Sequence, residues 1–125
     1  MSDYRTKIGR VRRLKEFSSK EDFDKNFENW CEKYLRYIFL GVNRNENINA
    51  SYQLSDYFES TDREMIIANN SIWLIENCED LDDEDSYCHL KKTDDDDVFE
   101  FHTRFYDGGT WEGEMIRDEI ERLKL

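Results

Sequence analysis

Val98-Phe99-Glu100-Phe101-His102-Thr103-Arg104-Phe105-Tyr106 is the stretch on which the reading of this chain turns. Phe99, Phe101, Thr103 and Phe105 alternate with Glu100, His102 and Arg104. Successive side chains of a strand point to opposite sides, so this pattern predicts a strand with one apolar and one polar face. Such a strand needs neighbours, and residues 64–106 supply them. Met65-Ile66-Ile67-Ala68 and Ser71-Ile72-Trp73-Leu74-Ile75 flank Asn69-Asn70. Asn tolerates the positive φ of a tight hairpin turn, so these two runs read as a hairpin. A further strand is expected over Tyr87-Cys88-His89-Leu90-Lys91, and the turn Thr93–Asp97 leads into the Phe strand.

Helices are expected on both sides of this sheet in sequence. Ser18-Ser19-Lys20-Glu21 has capping-box spacing, in which a Ser hydroxyl accepts from an orphan amide and the Glu reaches back. Phe23, Phe27, Trp30, Cys31, Tyr34 and Ile38 then recur at steps of three and four, which predicts a helix over 18–40 with Gly41 as its stop. Trp30 and Phe27 are expected in the core. After a loop from Asn43 to Asn49, residues Tyr52, Leu54, Tyr57 and Phe58 fit a short helix better than a strand. Asp107-Gly108-Gly109 ends the Phe strand, and Thr110 can cap a final helix with the stripe Met115, Ile116, Ile120 and Leu123. The expectation is an α+β fold: an antiparallel sheet of about four strands packed against an N-terminal and a C-terminal helix. Both helices are placed on one face, the last over the Phe side chains.

The N-terminal residues 1–17 are harder to assign. Ile8, Val11 and Leu14 recur every three residues among Arg5, Lys7, Arg10, Arg12, Arg13 and Lys15. A basic arm and a short amphipathic helix fit equally well.

The 125 residues are expected to form a single acidic α+β domain. An aromatic share of 14% argues against disorder, because disordered chains lack large apolar side chains to bury. The charged share is 38% and the net charge −12, unevenly spread. The head is basic, while residues 76–97 carry eleven acids against Lys91 and Lys92. Three cysteines, Cys31, Cys78 and Cys88, make no disulfide framework. With no apolar leader and no run long enough to span a bilayer, the expected setting is the cytoplasm.

Candidate chemistry is sparse. Cys78, Cys88, His89 and His102 are the only plausible soft ligands for zinc, but they lack the close Cys pairs of structural sites. Counted from Asp80, an EF-hand would need Gly and Glu where Asp85 and Lys91 stand. There is no nucleophile elbow, phosphate loop or dinucleotide fingerprint. Asp and Glu pairs occur throughout, so no paired-carboxylate site stands out, and the Asp runs at loop tips are solvated, where pKa values are not driven apart as acid–base catalysis requires. No enzyme activity and no cofactor or metal are therefore expected. Direct nucleic-acid binding is disfavoured, because phosphate contacts dominate such affinity and the chain is strongly negative.

What remains is the acidic surface as a device for binding protein. Carboxylates on a folded domain can compete for a groove that receives phosphates, and electrostatic steering speeds association. The expected function is a non-enzymatic inhibitor or regulator of a nucleic-acid-processing protein, reached through that protein's basic surface. In size, charge and lack of catalytic motifs the chain compares with phage-encoded inhibitors of host defence nucleases and with immunity proteins that block toxin nucleases; a phage-encoded anti-defence protein or a nucleic-acid mimic is the expected kind. The expected contact acids are Asp80, Asp82, Asp83, Glu84, Asp85, Asp94, Asp95, Asp96 and Asp97. The alternative is a toxin-immunity or adaptor protein working through an apolar interface. Membrane binding is not expected, and homodimerisation stays open.

Overall fold

A computed structural model describes residues 4–38, 48–81, 89–106 and 112–125. Eight elements follow one another: β1 (Tyr4–Glu16), α1 (Lys20–Ile38), α2 (Ala50–Ser60), β2 (Glu64–Ala68), β3 (Ser71–Leu81), β4 (His89–Lys92), β5 (Val98–Tyr106) and α3 (Glu112–Leu123). The strands form one antiparallel sheet of five in the order β2-β3-β1-β5-β4. The fold is α+β as expected, with five strands rather than four.

The extra strand is the basic N-terminal segment. It is neither an arm nor a helix: β1 runs through the centre of the sheet, paired with β3 on one side and β5 on the other. Its pairing with β3 shifts between Ile8 and Arg10 and again between Arg13 and Lys15. The first shift adds a residue to β3, between Glu76 and Glu79, and the second adds one to β1, between Arg13 and Lys15. Val11 joins the core under α3 and Leu14 packs against the other core, so the step of three in sequence alternates between the two faces of an extended strand. Gly9 sits at the first shift. A Cβ there would lie 2.7 Å from the Phe101 ring and 2.9 Å from the Glu76 carbonyl oxygen, so only Gly lets the ring cross the strand.

The β2–β3 hairpin turns at Asn69 and Asn70, with φ of 50° and 59° as a type I′ turn requires. Its strand β3 carries the unbroken run Ile72-Trp73-Leu74-Ile75, all buried. Such a run belongs to a strand covered on both sides. Trp73 and Ile75 join Val11, Ile66, Ala68, Phe99 and Phe101 in a core closed by Ile116 and Ile120 of α3. Ile72 and Leu74 join a second core with Phe17, Cys31 and Leu35, Ala50, Leu54 and Phe58. So α3 does cover the Phe face, but α1 and α2 lie on the other side. The helices do not share one face, and the molecule has three layers.

The helix ends explain their own boundaries. In α1, Ser19 Oγ accepts from the Asp22 amide at 3.0 Å, while the Ser18 amide donates to Asp22 at 2.9 Å. The capping box is present, displaced by one residue from the Ser18–Glu21 spacing. In α2 the N-cap Asn49 makes no side-chain capping bond. Instead Glu28 of α1 accepts from both the amide and the hydroxyl of Ser51. Lys124, at φ 58°, ends α3: its amide donates to Glu121 and that of Leu125 to Ile120, a Schellman arrangement. Leu125 then packs on the first core. Trp30 and Phe27 are only half-buried and flank the second core rather than fill it.

Candidate functional site

The acids singled out by sequence fall into three groups. Asp82, Asp83, Glu84 and Asp85 lie outside the described residues. Asp80 lies not in a loop but in β3, paired with Lys7 of β1. Asp94, Asp95, Asp96 and Asp97 form the β4–β5 turn, and all four are exposed.

The register shows how far apart the last two groups are. Leu81 and Arg104 both align with Thr6, whereas Val98 aligns with Arg12. Asp80 therefore stands at one end of the sheet and the turn at the other. At roughly 3.3 Å per residue, the six steps from Val98 to Arg104 put about 20 Å between the two ends. The structure brings Asp94–Asp97 together and leaves Asp80 apart from them.

The turn is firmly built. Thr93 Oγ1 donates to the Val98 carbonyl at 2.7 Å and accepts from the Asp95 amide at 3.1 Å. Asp95 Oδ1 accepts from the Asp97 amide at 2.9 Å. The Asp97 carbonyl accepts from the Arg13 amide at 2.7 Å, which ties the turn to the central strand. Four carboxylates are thus presented on a backbone that is already ordered.

They are not equivalent. Asp97 pairs with Arg13 at 3.3 Å. Arg13 is largely buried, with 14% of its side chain exposed. Its guanidinium stacks over Trp73 at 4.5 Å and donates to the Leu125 carbonyl at 2.7 Å. Its buried Nε finds no hydrogen-bond acceptor among the described residues. Asp96 meets Lys92 at 3.7 Å with both side chains in solvent, a contact worth little. Asp97 is therefore partly structural, as is Asp95 through its bond to the Asp97 amide, while Asp94, Asp95 and Asp96 all stay exposed.

Two cations of the basic head are paired within the fold. Arg12 pairs with Glu76 at 3.2 Å, Arg13 with Asp97, and Arg10 stands between Glu76 and Glu100 in the strand register. Sequence reasoning did not foresee this. The relevant signal is the alternation of cations in β1 with acids in β3 and β5, which shows only once the strands are paired.

The remaining chemistry is quiet. Burial, helped by Glu28, pushes the Cys31 thiol up to about 12, so it stays protonated and unreactive. His102 aligns with His89 across β4 and β5. The side chains of Cys78, Cys88 and His89 lie outside the described residues. Among the described residues no group of three or more His, Cys, Asp or Glu could hold a metal ion, and no helix is long and apolar enough to cross a membrane. Compared with known proteins, the chain matches no protein-family model, no curated protein and no solved structure.

Proposed function

We propose that this chain is a non-enzymatic acidic regulator that works in the cytoplasm and occupies the basic surface of a nucleic-acid-processing protein, in place of its nucleic acid. The observation that supports this most is the Asp94–Asp97 turn: consecutive exposed carboxylates on a hydrogen-bonded backbone. Ordering acids in advance lowers the entropy cost of binding, and steering by negative charge raises the association rate. The internal pairing of Arg12 and Arg13 adds to it, because it leaves fewer cations to offset the outward acids. The contact centres on Asp94, Asp95 and Asp96. Asp80, about 20 Å away along the strands, would join only on a partner long enough to span the sheet.

The alternative, an immunity or adaptor protein with an apolar interface, has one feature in its favour. Tyr37 is 77% exposed and Tyr52 65%, both on the helical layer. Tyr is enriched in the hot spots of protein interfaces.

Capture from cell lysate at low and high salt, with mass-spectrometric identification, separates the two. The proposed regulator should retain a basic protein at low salt and release it at high salt. Asp94→Asn, Asp95→Asn and Asp96→Asn together should weaken that capture at least tenfold. Capture that ignores both salt and these substitutions overturns the acidic reading. If Tyr37→Ala and Tyr52→Ala then abolish it, the apolar interface is the right one.

A further inference from the structure

A cleft of about 490 Å³ opens between the end of β1 and α1. The size lies within the range of small-ligand sites. One wall is a row on α1, Asp22, Asn26, Asn29, Lys33 and Arg36, at steps of four and three, so that all five share one side of the helix. Lys15 and Phe17 form the opposite wall, and Trp30 lines the cleft beside the row.

The lining carries both signs of charge, but they are not equally available. Asp22 is saturated: it accepts from the Ser18 amide and hydroxyl and from Asn26 Nδ2 at 2.9, 3.0 and 2.6 Å. Glu32 is engaged by Arg36 at 3.0 Å. Lys33 has no ion pair among the described residues, and Lys15 lies over the Phe17 ring at 5.5 Å while its charge also favours the Asp22 carboxylate. The lining thus sets three cations against two carboxylates; Arg36 is offset by Glu32, and Lys33 is the cation with the least compensation. The C-terminal end of α1 opposes an anion with only a fraction of a charge.

Trp30 adds the second half of the chemistry. Its ring stacks on Tyr34 at 5.0 Å and 21°, which fixes its plane, and the indole Nε1 donates to no described residue. A ring held this way on the wall of a cleft offers a stacking surface for a planar group. The net charge of −12 decides the size of the ligand. A nucleic-acid strand would run past the cleft into the outward acids. A small anion ends within it, and at physiological salt charges beyond about 8 Å are screened.

We propose that this cleft binds a small organic anion carrying a planar ring, with Lys33, Arg36 and Lys15 on the anionic group and Trp30 under the ring. The test is a titration of the full chain followed by 1H–15N NMR, with AMP, adenosine and inorganic phosphate as separate probes. AMP should give saturable shifts at Asn29, the Trp30 indole and Lys33, with Kd below about 1 mM. Adenosine and phosphate should each bind at least tenfold more weakly. Lys33→Gln with Arg36→Gln should raise the Kd for AMP at least tenfold while the melting temperature stays unchanged, since both side chains are exposed. Lys15→Gln, on the other wall, should raise it a few-fold. AMP shifts that fail to saturate at about ten times that concentration overturn the proposal. So does equal affinity for phosphate and AMP, or an unchanged Kd in both charge variants.

Discussion

On one side of the sheet α3 covers Val11, Trp73, Ile75, Phe99 and Phe101, and these side chains are almost wholly removed from water. On the other side, the core under α1 and α2 takes its sheet residues from β2, β3 and the end of β1, and among the described residues none from β4 or β5. There Arg10, Glu100 and Lys91 remain exposed and align as one row of alternating charge. One face is closed across the sheet, and the other is closed over half of it. Sequence period alone does not reveal this difference. A strand buried on one side and one buried on both can stand side by side, and only the neighbour's cover decides which is which.

The largest test of that contrast compares two tryptophans. Trp73 is fully buried, tilted against Phe99 at 5.9 Å, with its Nε1 donating to the Ala68 carbonyl at 3.2 Å. Trp73→Ala should cost about 3–5 kcal/mol in denaturant unfolding. Trp30 is only half-buried at the edge of the second core, so Trp30→Ala should cost clearly less. Equal losses would mean that the two faces are closed alike.

Gly9→Ala probes the closed face through the backbone. The new methyl would meet the Phe101 ring and the Glu76 carbonyl together, and the carbonyl belongs to a paired strand that cannot swing aside. Overpacking of this kind costs typically about 1–3 kcal/mol. Gly113→Ala is its control. There the new methyl meets only the end of the flexible Glu64 side chain, so a smaller loss is expected. Melting curves that rank the two the other way round would break the assignment of Gly9 to a close crossing.

These elements show what was legible in the sequence and what was not. The strand β5 was readable residue by residue, because period-two alternation is local. The Asn69-Asn70 turn and the stripes of α1 and α3 were readable for the same reason. The strand β1 was not, because its apolar residues serve both faces, Val11 one core and Leu14 the other, and the partners of its cations lie far along the chain: Glu76 and Asp97 are 64 and 84 residues from Arg12 and Arg13. The two-sided burial of Ile72-Trp73-Leu74-Ile75 had a signal in its unbroken apolar run, which a hairpin reading alone leaves unused. Of the candidate site, the Asp94–Asp97 turn was legible and the separation of Asp80 was not, since it follows from register.

On the half-open side, the helical layer depends on two carboxylate caps. Glu28 supplies α2 with the cap its own Asn49 does not, so Glu28→Ala should cost on the order of 1 kcal/mol. Asp22 caps α1, and the Ser18 amide, then Asn26 and the Ser18 hydroxyl, hold its pKa below the ordinary 3.8. A lowered folded-state pKa means stability that is present above the unfolded value and lost as pH falls through the folded one. The wild type should therefore lose stability below about pH 4 with a steeper slope than Asp22→Asn. Parallel acid limbs for the two proteins would show that this carboxylate does not stabilise α1.

The smallest effect is expected where the sequence places most negative charge. Asp94, Asp95 and Asp96 are exposed and repel one another, and Lys92 gives Asp96 only a solvent-exposed partner. Changing Asp94 and Asp96 to Asn should move stability by no more than about 0.5 kcal/mol, in the stabilising direction if repulsion outweighs the Lys92 contact. Asp97→Asn should differ in sign. It removes the charge beside Arg13, whose guanidinium is held between Trp73 and the Leu125 carbonyl, where solvent can replace a lost partner only in part. Because Asp97 itself is 58% exposed, the loss should be modest, below what a fully buried pair would cost. Unfolding measured at low and high salt separates the two positions. Added salt should narrow the gap between wild type and the double variant at Asp94 and Asp96, and leave that of Asp97→Asn largely in place, since partly buried pairs are screened less. If all of these substitutions behave alike, Asp97 is not an anchor of the closed face, and the turn presents four equivalent carboxylates instead of three.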